Sequence, residues 1–180
     1  MRKTLLIVLS ALVVLIVGGY IFFQINLKNT KKHSPEQTVE YHENGADISI
    51  FYCRPSKKGR EIFGGILPYG QWWRTGANEP TTITTSKDLV FNGQTLKAGK
   101  YHIVTIPEQN EWTIVFNSEI PFWGTQYNPD KDALRVKVPV EALPSVVEMF
   151  TITFEDVNGQ DAISLAWDQT KVAVPFTVAN

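Results

Sequence analysis

One eight-residue stretch, residues 72–79, concentrates side chains that could do chemistry: it reads WWRTGANE. The guanidinium of Arg74 can hold a carboxylate, phosphate or sulfate in two parallel hydrogen bonds. Tryptophan faces stack against a sugar ring or a cation, and Asn78 and Glu79 add an amide and an acid. These residue types favour a binding site for a polar ligand that is anionic or glycan-like.

The positive charge of the domain also concentrates just before this stretch, beside several glycines that shape the backbone. We therefore predict six ligand-binding residues: Arg54, Arg60, Trp73, Arg74, Asn78 and Glu79. A structural interpretation stays open, because Arg74 could pair with Glu79 or cap carbonyls of its own loop. In that case Asn78 would occupy a left-handed turn near Gly76, and one of the two tryptophans would fill the core.

An enzyme is the second hypothesis, although the sequence assigns no catalytic residues. A hydrolase of the cell envelope would use Glu79 or His102 as general base, with Arg74 stabilising the developing negative charge. His102 shares a strand face with Val104 and Ile106, which favours a packed, hydrogen-bonded imidazole. The common hydrolase, metalloprotease and nucleotide-binding motifs do not occur in the sequence. A third hypothesis is a structural or assembly partner of an envelope complex.

No metal site or cofactor is predicted. Asn128, Asp130 and Asp132 have the spacing of the first calcium-loop ligands, but alanine and proline stand where glycine and glutamate belong. A solvated Asn-Pro-Asp turn explains them better. Cys53 is the only cysteine, so no disulfide within the chain can form. We predict that Cys53 is a small buried hydrophobic residue rather than a reactive thiol.

The chain begins with a candidate membrane segment. Residues 4–23 carry no charge, and twenty helical residues span the roughly 30 Å hydrocarbon core of a bilayer. The apolar run exceeds that of a cleaved signal, and no small-x-small cleavage site follows, so we predict an uncleaved signal-anchor over residues 1–24. Residues 25–37 then form a polar tether, and residues 38–180 form the folded domain. Basic residues flank the apolar run on both sides, so charge alone leaves the orientation open.

The folded part is acidic. Beyond residue 33 the chain has 12 basic and 18 acidic side chains, a net charge of −6. This balance argues against nucleic acid and against an anionic membrane surface as partners of the domain. A protein partner is not identified by the sequence, and the membrane is the predicted partner of residues 4–23.

Period-2 patterns and turn signals recur along the domain, which predicts about nine to ten strands in an all-β antiparallel sandwich, jelly roll or small barrel. Residues 88–107 contain Asn-Gly and Ala-Gly turns and are predicted to form a three-stranded meander. Residues 133–140 and 146–157 are predicted as separate strands. The two longest irregular stretches, 55–80 and 118–132, contain most of the candidate residues, as is usual for functional loops on a β scaffold.

Three motifs carry a family resemblance: G-R-x-I-F-G, P-Y-G-x-x-W-R-T-G-A-N-E and L-x-A-G-K-Y. With the segment WGTQYNPDKDALRVKV, they make residues 38–154 closely resemble the bacterial family known as domain of unknown function 2911. All six predicted ligand-binding residues match its pattern. The resemblance implies export or membrane attachment, and hence a single-pass membrane protein whose domain lies outside the cytoplasm, in the periplasm. It implies no activity.

Overall fold

The computed structural model describes residues 2–179, without the side chains of residues 2, 5, 8, 27 and 28. The chain divides into two compact units, with the boundary between His33 and Ser34. The first unit is helix α1, Arg2–His33, whose segment Leu9–His33 is long and apolar enough to cross a membrane, properties that a signal sequence shares. The helix therefore continues through most of the stretch predicted as a tether and ends two residues before Pro35, where proline disfavours further helix.

In the second unit, the described residues form ten strands, all paired antiparallel, which confirms the prediction of an all-β antiparallel fold. They are β1 (Glu36–Tyr41), β2 (Ile48–Cys53), β3 (Thr82–Thr85), β4 (Leu89–Phe91), β5 (Gln94–Leu96), β6 (Gly99–Pro107), β7 (Glu111–Asn117), β8 (Asp132–Val157), β9 (Gln160–Pro175) and β10 (Thr177–Val178). A seven-stranded sheet has the order β1-β2-β3-β6-β7-β8-β9, and a small sheet has the order β10-β4-β5. The two predicted strands at 133–140 and 146–157 are one strand, β8, whose pairing with β9 is interrupted by register shifts between Ala142 and Thr151.

The predicted meander at 88–107 is wrong in one respect. All three strands form, but β4 and β5 lie outside the large sheet. β4 pairs with β5 and with the distant β10, while β6 pairs with β3 and β7. The Asn92-Gly93 turn closes the β4–β5 hairpin with positive φ at both residues, as a two-residue hairpin turn requires. The turn depends on neighbouring residues, whereas the choice of sheet depends on β10, which lies almost ninety residues further along the chain.

The large sheet curls into a half-barrel, because β2 and β8 meet across it although three strands separate them in sheet order. The Tyr52 hydroxyl accepts a hydrogen bond from the Ile152 amide over 2.9 Å. Beyond the end of β2, Ser56 forms an antiparallel bridge with Met149. The curl lets one loop, residues 55–80, enter the concave side of the sheet.

Aromatic side chains fill that concave side. Trp73, from the loop, stacks on Trp167 at 5.6 Å between ring centroids with an interplanar angle of 18°. It also packs edge-to-face with Phe150 and Trp112, at 4.9 Å and 6.5 Å between ring centroids. Only 7% of Trp73 is exposed, so this residue anchors its loop in the core and positions its neighbours at the surface.

Candidate functional site

The segment 72–79 is held against strand β6 by paired backbone bonds. The Trp73 amide donates to the Thr105 carbonyl at 2.7 Å, and the Thr105 amide donates back at 3.0 Å. The Trp73 indole donates to the carbonyl of Gly76 at 3.2 Å, and Thr81 donates its hydroxyl to the Thr75 carbonyl at 2.8 Å. These bonds close the turn that the sequence predicts at Gly76, and they identify Trp73 as the architectural tryptophan.

Two glycines allow neighbouring segments to approach this turn. A Cβ on Gly76 would lie 2.9 Å from the Cys53 carbonyl oxygen, and the φ of +155° also favours glycine. A Cβ on Gly124 would lie 2.8 Å from the Asn78 carbonyl oxygen and 3.0 Å from Cδ of Arg74. Gly124 thus brings residues 123–125 against the segment 74–79, and the groove between them forms a cavity.

This first cavity has a volume of about 330 Å³. Its lining combines apolar side chains with one cation: Ile66, Leu67, Pro68, Gln71, Trp72, Trp73, Arg74, Gly124 and Thr125. Trp72 is 40% exposed, in contrast to its buried neighbour. A small ligand would therefore meet an aromatic wall and a guanidinium in the same space.

Arg74 is half-buried, and burial lowers the pKa of its guanidinium below the usual value. Within residues 2–179, no acceptor or carboxylate forms a hydrogen bond or ion pair with this side chain. Five N–H donors are available on a guanidinium, and a charge removed from water is costly unless it is paired. Neither contact of the structural interpretation, an ion pair with Glu79 or a cap on carbonyls of its own loop, is formed by Arg74 among the described residues.

Arg54 and Arg60 have a different role. Arg54 donates from Nε to the Phe150 carbonyl at 3.1 Å and from Nη2 to the Thr151 hydroxyl at 2.8 Å. Arg60 donates from Nε to the carbonyl of Lys57 at 2.9 Å, within its own loop. Neither arginine lines the first cavity, so the structure does not bring them together with Arg74. Both act as clamps for the backbone.

Asn78 and Glu79 do not line the first cavity. Asn78 has a φ of +57°, the left-handed turn that the sequence predicts. Its Nδ2 is buried and has no partner among the described residues. Glu79 accepts a hydrogen bond from the Cys53 thiol at 3.2 Å between Oε2 and Sγ.

Cys53 is fully buried, as predicted, but its surroundings are acidic. Burial, with Glu79 as the next cause, raises the pKa of its thiol to about 12, so it remains a protonated donor. Glu36, directly opposite Cys53 in the β1–β2 register, completes a trio whose potential ligand atoms all lie within 4.8 Å of one another. This trio is the group that could hold a metal ion among the residues the structure describes, and it would first have to lose the thiol proton. The sequence missed it because the three residues are far apart in the chain.

His102 is fully buried on β6, as its strand position predicts. Burial lowers the pKa of the imidazole to about 4. Neither ring nitrogen has a hydrogen-bond partner among the described residues, so the predicted hydrogen bond is absent there. His102 does not line the first cavity, and neither does Glu79, the other candidate base.

Asp130 and Asp132 belong to a turn, not a calcium loop. Asn128 accepts from the Asp130 amide at 3.1 Å and begins a short 3₁₀ turn over Pro129–Lys131. The Asp132 carboxylate is used by protein donors: the Tyr127 hydroxyl at 2.8 Å and Arg135 Nε at 2.8 Å. The carboxylate therefore fixes Tyr127, whose ring lies 5.4 Å from that of Trp72.

Comparisons with known proteins give one result. A family model with the description "Protein of unknown function (DUF2911)" matches residues 34–176, which includes all ten strands except the last. No curated protein and no solved structure matches the chain.

Proposed function

We propose that this chain, which belongs to the family described as Protein of unknown function (DUF2911), binds a small acidic ligand through Arg74. One observation carries the proposal: a half-buried guanidinium without a protein partner lines a cavity of about 330 Å³. Carboxylates, phosphates and sulfates share the geometry that a guanidinium binds in two parallel hydrogen bonds. The ligand class is therefore an oxyanion of any of these three kinds.

The energetics support an acid over a neutral ligand. A cation that is partly removed from water loses solvation free energy, and no hydrogen bond or ion pair from the described residues offsets that loss at Arg74. A bound oxyanion would offset the lost solvation, because each hydrogen bond to a charged group contributes about 1.5–3 kcal/mol. Trp72 and the apolar residues of the cavity would cover the body of the ligand and exclude water from the ion pair. Of the six predicted residues, Arg74 contacts the ligand in this proposal, and Trp73 forms part of the wall.

The test is a thermal-shift and calorimetric screen of the full chain in detergent. The probes are glucuronate, citrate, inorganic phosphate and sulfate, with glucose as the neutral counterpart. We expect at least one acid to raise the Tm by several degrees at about a hundredfold excess over its Kd. Glucose should leave the Tm unchanged, because it cannot compensate the charge of Arg74.

Two variants make the screen specific. Arg74→Met should abolish the shift while the protein stays folded, and Arg74→Lys should weaken it, because a lysine lacks the two-pronged donor geometry. Lys100→Met is the matched control, since Lys100 is exposed on β6, outside the cavity, and loses the same charge. An acid that binds Arg74→Met as tightly as the wild type would contradict the proposal, as would a flat response to all four acids.

We also propose that α1 anchors the chain in a membrane with the domain, residues 38–180, outside the cytoplasm. The support is the length and composition of α1 together with the membrane attachment that the family resemblance implies. In a bacterial host, an alkaline phosphatase fused after residue 180 should be active and a green fluorescent protein dark. The membrane-bound chain should keep residues 1–24 by intact mass. An active fluorescent fusion would reverse the orientation, and a shortened mass would show cleavage.

A further inference from the structure

The described residues also form a second cavity, of about 400 Å³. It is lined by seven residues of the irregular stretch before β8: Glu119, Ile120, Pro121, Phe122, Gln126, Tyr127 and Asn128. Trp72 lines the first cavity and Tyr127 the second, and their rings are in contact at 5.4 Å with a tilt of 47°. One aromatic pair therefore contributes a ring to each cavity and links their linings.

Two aromatic side chains of the second cavity, Tyr127 and Phe122, could contact a ligand. Tyr127 is held by its hydroxyl, which donates to Asp132 at 2.8 Å and accepts from Arg135 Nη2 at 3.1 Å. Phe122 is 88% exposed, so its ring contributes little to packing of the fold. The Tyr127 ring, which is already held in place, would lose little conformational freedom when a ligand covers it, and the exposed Phe122 ring is accessible to the same ligand.

Neutral polar side chains line both cavities. The side chains of Gln71, Thr125 and Gln126 are exposed and form no hydrogen bonds with other described residues. An amide both donates and accepts, and so does a hydroxyl, which matches the hydroxyl groups of a sugar. Both cavities therefore combine apolar faces with two-way hydrogen-bonding groups.

The charges of the two cavities differ in sign. The first contains the cation Arg74, and the second contains Glu119, which accepts a hydrogen bond from Asn128 Nδ2 at 3.0 Å. A ligand with an acid at both ends would place one of them near Glu119, and like charges repel. The charge pattern selects a ligand that is acidic in the first cavity and neutral in the second.

We infer that the two cavities are subsites of one groove for an acidic oligosaccharide, with an acidic sugar at Arg74 and a linked neutral sugar against Tyr127 and Phe122. The inference rests on the proposed function, because it assumes that Arg74 binds the acid. A peptide fits less well, since peptides are commonly bound along a free strand edge or in a helix groove. The stretch 118–128 that forms the second cavity contains neither a strand nor a helix.

The test compares ligands by calorimetry on the full chain in detergent. The probes are glucuronate, the disaccharide of glucuronate and N-acetylglucosamine, digalacturonate and the neutral chitobiose. We expect the mixed disaccharide to bind about tenfold more tightly than glucuronate, because it gains the stacking and the hydrogen bonds of the second subsite. Digalacturonate should gain nothing over glucuronate, and chitobiose should bind most weakly.

Three variants separate the subsites. Phe122→Ala should weaken the mixed disaccharide about fivefold and leave glucuronate unchanged, because only the second sugar reaches that ring. Glu119→Gln keeps the acceptor for Asn128 and removes the charge, so it should improve digalacturonate about threefold. Arg74→Met should weaken glucuronate and the mixed disaccharide alike.

The outcomes distinguish the two proposals. If glucuronate binds through Arg74 but the mixed disaccharide gains no affinity, the second subsite is refuted and the acid site stands. If no acid binds, both are refuted. If the tripeptide Ala-Glu-Ala binds as tightly as the disaccharide and responds equally to Phe122→Ala, the carbohydrate assignment is overturned.

Discussion

The three arginines around the loop 55–80 fall into two regions with opposite chemistry. Arg54 and Arg60 give their donors to carbonyls and a hydroxyl of the fold, whereas Arg74 gives its donors to no described residue and faces a cavity. All three match the pattern of the same family, and the sequence alone does not distinguish their roles. The comparison teaches that the number of donors left unused, rather than the presence of a cation, distinguishes the proposed binding group from the two structural arginines.

The largest expected effect is a loss of stability when the close approach at Gly76 is disrupted. Gly76→Ala should lower the free energy of unfolding by about 4 kcal/mol, because its Cβ would lie 2.9 Å from the Cys53 carbonyl oxygen and its φ disfavours alanine. Gly93→Ala is the control, since Gly93 has a φ of +77° and open space around it. It should cost only about 1 kcal/mol. Urea unfolding measures both, and equal losses would show that the close approach does not matter.

The next prediction compares Arg74 with His102. Like Arg74, the His102 side chain has no hydrogen-bond partner among the described residues, but it is fully buried in the core and cannot reach a ligand. Its folded pKa, about 4, lies below the ordinary value of 6.5, so the unfolded state takes up the proton first. Stability is therefore complete above pH 6.5 and falls as the pH drops towards 4, by up to about 3 kcal/mol.

His102→Leu should flatten this pH profile and leave the binding of acids unchanged. His42 provides the control: hydrogen bonds to Asp47 and Glu40 raise its pKa, so its protonation favours the folded state. His42→Gln should therefore not reduce the loss of stability in acid. An unchanged profile in His102→Leu would assign the acid sensitivity to other groups.

A smaller effect sharpens the contrast between the arginines. Arg54→Met should lower the free energy of unfolding by about 2 kcal/mol, because the Phe150 carbonyl and the Thr151 hydroxyl lose a charged donor. Arg74→Met should cost less than about 1 kcal/mol, because it breaks no hydrogen bond. The effect on the affinity for acids should be the opposite: Arg74→Met should lose more affinity than Arg54→Met. The distinction fails if both variants lose stability and binding together.

The smallest effect concerns the support of the aromatic pair. Tyr127→Phe removes the hydroxyl between Asp132 and Arg135 and should cost about 1 kcal/mol of stability. The ring stays, so affinity for the mixed disaccharide should fall less than with Phe122→Ala. Tyr101→Phe, which removes only an exposed bond to the Lys97 carbonyl, is the control. A loss of binding as large as that of Phe122→Ala would mean that the hydroxyl itself contacts the ligand.

Local signals predicted much of this fold. The alternation in β2 and the Asn-Gly turns at 92–93 and 158–159 depend on neighbouring residues, and the structure confirms them. The partners of Arg54 could not be read, because Phe150 and Thr151 lie 96 and 97 positions away. The sequence could not predict that the donors of Arg74 would be unused either, because the absence of a partner depends on the whole fold.

The link between β2 and β8 also bears on how the fold is reached and kept. Tyr52 and Ile152 are 100 residues apart in the chain, so their hydrogen bonds require closure of a long loop. We expect such contacts to form late, after the hairpins β6–β7 and β8–β9, and to contribute little to the folding rate. We expect their energy to lower the rate of unfolding instead, so that closure of the half-barrel would increase the kinetic stability of the protein.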